Sequence, residues 1–173
     1  MAQTETMPEK SAPPKILVMR YSSLGDVALT NPLLDGLQAA SPRSPIFYAT
    51  KSQYAATVQS HPAVTRVLAL RGKGLFGLLD HINEVRAEKP DVVLDLHDSL
   101  RSHIVGFFLR GAKFLVYDKE ALERRMLVHK LTQKPSMHTI QKYLKVLEPL
   151  GIKPRVRIPF EIHVSKKSQS FVR

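Results

Sequence analysis

The 173-residue chain contains no cysteine, which excludes a disulfide framework and any metal site built on thiolates. This absence fits a reducing compartment. No apolar run approaches the roughly 20 residues that a membrane-spanning helix needs. Residues 1–14 also lack the apolar core of a signal peptide, so they are predicted to be a disordered leader.

Acidic residues are few. The chain has 26 Lys and Arg against 15 Asp and Glu, a net charge of +11. Such an excess favours anionic partners: nucleic acid, acidic lipid surfaces or phosphorylated sugars. A basic protein that is simply soluble has the same composition, so charge alone leaves both interpretations open. Because no aromatic-rich stacking strand or recognition helix is visible, we expect no nucleic-acid partner.

Short apolar runs alternate with helical patterns along most of the chain. The runs are bounded by Pro, Gly or Asp, as buried parallel strands are. They predict strands at 16–20, 46–50, 65–70, 91–96 and 113–117. Helices are predicted at 31–40, 75–88, 99–109 and from 140 to near 151, with His81 on a helix surface. This order predicts an α/β fold with a doubly wound, Rossmann-like parallel sheet.

The first predicted strand runs into a polar loop at 21–26, and ligands of open α/β sheets bind at such strand ends. The loop lacks the glycines of a dinucleotide fingerprint, so NAD binding is not expected. Gly25 permits a tight turn, and Ser22 and Ser23 can hydrogen-bond a sugar or phosphate. Asp26, predicted in a loop rather than a helix, could take a proton from an attacking hydroxyl. On spacing alone, an aspartate that only satisfies loop amides is favoured.

A second polar loop, at 95–102, follows the fourth predicted strand and should lie near the first. His97 and Asp98 could hold a hydroxyl or a phosphate. Ser99 is suited to capping the next helix, and Arg101 could pair with Asp98 or with an anionic ligand. The aspartates of this loop have no third ligand in view, so no metal site is expected. A cap with a local ion pair is the favoured interpretation.

Residues 118–137 interrupt the alternation of strands and helices with a basic segment that contains Arg124 and Arg125. A solvated helix face and an anion-binding surface are equally good interpretations of this segment.

Together, five ordered segments resemble the amino-terminal domain of glycosyltransferase family 9, the lipopolysaccharide heptosyltransferases. No single segment is decisive, but the ordered set is fairly specific and spans most of residues 15–152. The segments are Ile16-Leu-Val-Met-Arg-Tyr-Ser-Ser-Leu-Gly-Asp26, Thr30-Asn-Pro-Leu-Leu34, His61-Pro-Ala-Val-Thr-Arg-Val67, Asp95-Leu-His-Asp-Ser-Leu-Arg-Ser102 and Tyr143-Leu-Lys-Val-Leu-Glu-Pro-Leu-Gly-Ile152. The resemblance implies a GT-B architecture, two Rossmann-like domains facing across a cleft, with this chain as the amino-terminal half.

The resemblance also implies a reaction: an inverting glycosyl transfer without an obligatory metal or cofactor. The donor would be a nucleotide sugar such as ADP-heptose, and the acceptor an anionic lipopolysaccharide core. Asp26 would be the base that deprotonates the acceptor hydroxyl. The acceptor-binding candidates are then Ser22, Ser23, Gly25, Lys51, His97, Asp98, Arg101, Arg124 and Arg125. The alternative is a non-catalytic domain that binds an anionic glycolipid or a phosphate.

Members of the family run to roughly twice this length, counted as two domains of typical size. We therefore expect an acceptor domain at 15–163 and a tail or truncated interdomain linker at 164–173, without a donor domain. The isolated chain should be inactive unless a donor domain acts in trans or in a longer parent. The resemblance implies a cytoplasmic protein with peripheral contact at the inner membrane.

Overall fold

The computed structural model describes residues 12–72, 74–117 and 139–152. Its centre is a five-stranded sheet in the order β3-β2-β1-β4-β5, with every neighbouring pair parallel. The strands are β1 (Ile16–Met19), β2 (Ile46–Lys51), β3 (Arg66–Leu70), β4 (Val92–Asp95) and β5 (Lys113–Val116). All five predicted strands are present, which confirms the predicted parallel α/β sheet. Residues 1–11 of the predicted leader and the whole predicted tail lie outside the described residues.

Six helices are described along with two short 3-10 turns, Ser52–Tyr54 and Glu148–Leu150. The helices are α1 (Leu24–Ala28), α2 (Asn31–Ala40), α3 (Ala55–Gln59), α4 (Gly74–Ala87), α5 (Leu100–Phe107) and α6 (Thr139–Lys145). α1 and α3 were not predicted, because five residues are too few to show a helical period. Asp26 therefore lies on a helix, and its predicted position in a loop is wrong.

The central strands are buried on both faces, so successive residues of β1 belong to two different cores. Ile16 and Val18 pack with side chains of α2 and α6. Leu17 and Met19 pack with side chains of α4 and α5. Helices on both faces make the sheet doubly wound, as predicted. None of the helices in the described ranges is long and apolar enough to cross a membrane.

The strand order places a topological switch point between β1 and β4. From β1 the chain moves outward to β2 and β3, whereas β4 and β5 lie on the other side of β1. β1 and β4 are paired in parallel with Met19 opposite Asp95, so the loops after these strands leave the same edge together. Open α/β sheets bind ligands in the crevice at such a point.

Candidate functional site

The two predicted polar loops meet at this switch point. Arg20 Nη1 donates a hydrogen bond of 2.5 Å to the Leu96 carbonyl, and the Leu96 amide donates to the Met19 carbonyl at 3.0 Å. The rings of Tyr21 and His97 pack edge to face, with centroids 5.9 Å apart. The polar residues of both loops are therefore held at one end of the sheet.

Asp26 is the third residue of α1 and closes a capping box with Ser23, the residue before the helix. Its Oδ2 accepts from the Ser23 amide and from the Ser23 hydroxyl, both at 3.1 Å. Arg20 Nη2 lies 2.5 Å from the same Oδ2, and the Asp26 side chain remains 35% exposed. The sequence favoured an aspartate that only satisfies loop amides. Oδ2 of Asp26 has that structural role.

The surroundings of Asp26 keep it ionised. Partial burial disfavours its charge, but the Ser23 amide and the Arg20 guanidinium outweigh burial and lower the pKa of Asp26 below its ordinary value. At neutral pH the carboxylate is therefore free to accept a proton, although its low pKa makes it a weak base.

Aromatic side chains pack against Arg20 and against one another. The Arg20 guanidinium lies 5.8 Å from the centre of the Tyr143 ring, and Tyr143 packs edge to face on Tyr117 at 5.1 Å. Beside them, the Tyr48 hydroxyl and Thr30 Oγ1 share a 2.9 Å hydrogen bond. Burial raises the pKa of Tyr48 and of Tyr143, so both rings stay neutral.

The second loop is organised by Asp95, which is fully buried at the end of β4. Its Oδ1 accepts from the amides of His97 and Asp98, both at 2.9 Å. Asp98 adopts the left-handed conformation, φ 45°, which aspartate tolerates better than most residues. Ser99 caps α5 as predicted, because its hydroxyl accepts from the Ser102 amide at 3.3 Å.

The ion pair of this loop differs from the predicted one. Asp98 Oδ1 lies 2.9 Å from His103 Nε2, which is also 3.9 Å from the buried Asp95 Oδ2. Arg101 is exposed and forms no ion pair with any residue in the described ranges. The predicted pairing of Arg101 with Asp98 is therefore wrong, because the Asp98 carboxylate pairs instead with His103 in the first turn of α5. Sequence reasoning missed His103, although a histidine in the first turn of the helix that follows Asp98 and its Ser99 cap was the available signal.

The remaining site candidates differ in position. Ser22 is half-buried in the first loop, and Lys51 is half-buried at the carboxyl end of β2, on the same edge of the sheet. Gly25 lies within α1, where a Cβ would meet no described atom within 4 Å. Gly25 therefore belongs to a helix rather than to the tight turn that it would permit, and its role in acceptor binding stays a prediction. Arg124 and Arg125 lie outside the described residues.

A second polar pair lies on the opposite face of the sheet, beneath the same loop. The Tyr21 hydroxyl is 2.9 Å from His81 Nε2, and both residues are buried. Burial lowers the pKa of His81 to about 4 and raises that of Tyr21. The predicted surface position of His81 is wrong, because α4 presents this side chain to the core. In the part of the chain that the structure describes, no group of three or more acidic or histidine side chains could hold a metal ion.

No family model and no curated protein matches this chain. Several solved structures are similar to it in fold. The glycosyl transferase family 9 structure from Veillonella parvula DSM 2008 superposes with a TM-score of 0.72 at 24% identity, over 91% of this chain and 47% of that one. E. coli heptosyltransferase WaaC with ADP superposes with a TM-score of 0.60 at 19% identity, over 83% of this chain and 49% of that one. E. coli ADP-heptose lps heptosyltransferase II superposes with a TM-score of 0.56 at 21% identity, over 91% of this chain and 49% of that one.

These matches show the fold. The five-stranded parallel sheet and its helices are similar to the fold of glycosyltransferase family 9 structures, which confirms the predicted fold class and the family resemblance at that level. The chain spans about half the length of each matched structure.

Proposed function

We propose that this domain is the acceptor-binding half of an inverting glycosyltransferase in which Asp26 is the general base. The observation that carries the proposal is the position of Asp26: an ionised, 35% exposed carboxylate at the switch point of the sheet. The fold shared with glycosyltransferase structures supports the reaction class. The donor we propose is a nucleotide sugar such as ADP-heptose, and the acceptor is a lipopolysaccharide core.

In the proposed reaction, the oxygen of an acceptor hydroxyl forms a bond to the anomeric carbon of the donor sugar. Its proton passes to the Asp26 carboxylate as the new bond forms. The bond between the anomeric carbon and the diphosphate oxygen breaks, and its electron pair leaves with the nucleoside diphosphate. Attack from the face opposite the leaving group inverts the anomeric configuration. The base must already be unprotonated at neutral pH, which matches the low pKa of Asp26.

The anionic acceptor requires cationic and hydrogen-bonding partners along the same edge of the sheet. Lys51 and Arg101 are the described cations that we assign to this role, because both lie at the carboxyl ends of strands or just beyond. Arg124 and Arg125 remain proposals without a described position. The hydrogen-bonding candidates that we retain are Ser22, Ser23, His97 and Asp98.

The described residues build one Rossmann-like sheet, and the family resemblance assigns the nucleotide sugar to a second such domain. We therefore propose that donor binding requires a second domain, supplied in trans or in a longer parent. We also propose that the acceptor half works at the cytoplasmic face of the inner membrane, where a glycolipid acceptor would be presented.

The proposal is tested with Asp26→Asn and with the matched control Asp80→Asn, which changes an exposed aspartate on α4 far along the chain. The full chain is titrated with a deacylated lipopolysaccharide core and then assayed with ADP-heptose, with and without a separately produced donor-binding domain. We expect acceptor binding by all three proteins. Transfer measured by mass spectrometry should fall about 100-fold or more only in Asp26→Asn.

Two results would contradict the proposal. One is wild-type chain that does not bind the core at all. The other is transfer by Asp26→Asn at the rate of the Asp80→Asn control. Rapid transfer by the wild-type chain alone would remove only the requirement for a second domain.

The alternative function, a non-catalytic domain that binds an anionic glycolipid or phosphate, is favoured by one observation. Oδ2 of Asp26 already satisfies the Ser23 amide and the Arg20 guanidinium, which is a sufficient structural role. In that case Asp26→Asn should leave the biological function intact. Charge reversal by Arg101→Glu should weaken binding, and no sugar should be transferred under any condition.

A further inference from the structure

We propose that Arg20 is a positioning residue for Asp26: it anchors Oδ2, so that Oδ1 is the atom that receives the proton of the acceptor hydroxyl. This inference rests on the proposed role of Asp26 as the base. It assigns different tasks to the two oxygens of one carboxylate and gives a task to Arg20, which had no assigned role.

The first part of the argument is the two-pronged contact of Arg20. Its Nη1 donates to the carbonyl of Leu96, just beyond β4, and its Nη2 pairs with Asp26 Oδ2 on α1. The guanidinium therefore ties the carboxylate to the neighbouring strand across the switch point. Because the guanidinium is planar and rigid, two bonds from different nitrogens fix its orientation.

Burial makes this anchor hard to replace by solvent. Arg20 is only 8% exposed, and the ring of Tyr143 lies 5.8 Å from its guanidinium carbon. Water has little access to the guanidinium, so the Asp26 carboxylate balances its charge and the Leu96 carbonyl accepts from Nη1, while Nε has no hydrogen-bond partner among the described residues. A buried arginine without such partners would carry a large desolvation penalty.

The second part of the argument is the unequal use of the two carboxylate oxygens. Oδ2 accepts from the Ser23 amide, the Ser23 hydroxyl and Arg20, whereas a carboxylate oxygen has about two lone-pair directions. Oδ1 receives no hydrogen bond from any residue in the described ranges. Since the Asp26 side chain is 35% exposed, Oδ1 is the oxygen with free acceptor capacity, and a substrate hydroxyl can donate to it.

Arg20 supplies positive charge to Asp26 and also fixes the orientation of its carboxylate, and these two tasks make different demands on residue 20. A lysine could supply the positive charge to Asp26, but a single ammonium at the end of a flexible stem cannot reproduce the planar fork to Leu96 and Asp26. A glutamine would supply neither the charge nor the fork. Arg20→Lys and Arg20→Gln therefore separate the electrostatic effect of Arg20 from its geometric effect.

The experiment is carbon-detected NMR of the Asp26 carboxyl in the full chain without donor or acceptor. It yields the pKa of Asp26 from a pH titration and its χ1 rotamer distribution from scalar couplings. The matched control is Arg66→Gln, because Arg66 also bridges two acceptors, Glu84 and Glu88, on an exposed surface away from the site.

We expect one χ1 rotamer and a low pKa for Asp26 in the wild type and in Arg66→Gln. Arg20→Gln should raise the pKa of Asp26 and average its rotamers. Arg20→Lys should retain most of the low pKa but still average the rotamers. The proposal is overturned if Asp26 has the same pKa and the same single rotamer in Arg20→Gln as in the wild type.

A measurement that leaves Arg20 in place covers the case in which the Arg20 variants do not fold. In the wild type, the Arg20 guanidinium protons should exchange slowly with water, and Asp26→Asn should accelerate that exchange about 10-fold or more. Unchanged exchange would contradict the anchor. Neither readout requires sugar transfer, so failure of the transfer assay rejects Asp26 as the base, whereas failure here rejects Arg20 as its anchor.

Discussion

Arg20 and Tyr21 are neighbours in the chain, yet they leave β1 on opposite faces of the sheet and make different kinds of polar contact. Arg20 forms an ion pair with Asp26, whose side chain is 35% exposed. Tyr21 hydrogen-bonds to His81 where both side chains are buried, and burial lowers the pKa of His81 to about 4, so this pair is neutral at pH 7. Of these two pairs, only the one with a partner that water reaches is charged, which fits the high cost of burying both members of an ion pair.

Tyr21 and Tyr143, one on each face, also differ in the use of their hydroxyls. The Tyr21 hydroxyl has a partner in His81. The Tyr143 hydroxyl on the Arg20 face is buried without a hydrogen-bond partner in the described part of the chain, while its ring packs on Arg20 and Tyr117. Tyr143 therefore stabilises its face through its ring, and Tyr21 contributes through its hydroxyl as well.

Tyr143→Ala should have the largest effect on this comparison. It removes a buried aromatic ring from contact with Arg20 and Tyr117 and leaves a cavity, which typically costs about 3–5 kcal/mol of unfolding free energy. Urea denaturation followed by circular dichroism measures the loss. A loss below ~1 kcal/mol would mean that the ring does not support the Arg20 face.

The pH dependence of stability should reveal the neutral pair on the other face. Burial places the pKa of His81 at about 4, below its ordinary 6.5. The unfolded chain therefore binds more protons between these values, and the contribution of neutral His81 is complete above pH 6.5 and declines as the pH falls towards 4. The loss should approach about 3 kcal/mol at the low end of this window.

The control for this titration is His81→Gln, because glutamine can accept from Tyr21 but does not titrate. Urea unfolding at pH 7 and pH 4.5 should show a smaller pH dependence in the variant than in the wild type. Equal pH dependence in both proteins would show that His81 is not the titrating group.

Tyr21→Phe should have a smaller effect on stability than Tyr143→Ala or the protonation of His81. It keeps the ring but leaves His81 Nε2 buried without its partner, and an unsatisfied buried polar group costs about 1–3 kcal/mol. Denaturation midpoints in urea at pH 7 provide the measurement. A variant as stable as the wild type would mean that the hydrogen bond at 2.9 Å contributes nothing to stability.

Tyr143→Phe should have the smallest effect and completes the comparison. Because the Tyr143 hydroxyl has no partner among the described residues, its removal should change the unfolding free energy by no more than ~0.5 kcal/mol, or stabilise the chain slightly. The same urea series measures it beside Tyr21→Phe. A loss as large as that of Tyr21→Phe would reveal a hydrogen bond to this hydroxyl.

The fold was largely predictable because its signals are local. Buried parallel strands are continuous apolar runs bounded by breakers, and their five positions were predicted to within about one residue. The meeting of the loops after β1 and β4 followed from parallel strands sharing one carboxyl edge. α1 and α3 were missed because five residues are too short for a periodic pattern, and this is why Asp26 was placed in a loop.

The candidate site was less predictable because its contacts depend on residues distant in the chain. The sequence pointed to Asp26 but gave no sign that Arg20 would join it to Leu96, 76 residues further on. It suggested Arg101 as the partner of Asp98, whereas the structure brings His103 there. The roles of the acceptor-binding candidates stay predictions.

The sequence by itself determined a buried strand at 16–20, along which neighbouring side chains point to opposite faces, and Arg20 and Tyr21 continue this alternation just beyond the end of β1. Only the tertiary structure decided what each of them meets. The crossovers place α6 with Tyr143 on one face and α4 with His81 on the other, and Tyr21 lies 60 residues from its partner. Alternation is a property of the local backbone, whereas partners across the core are set by how the whole chain packs its helices on the sheet.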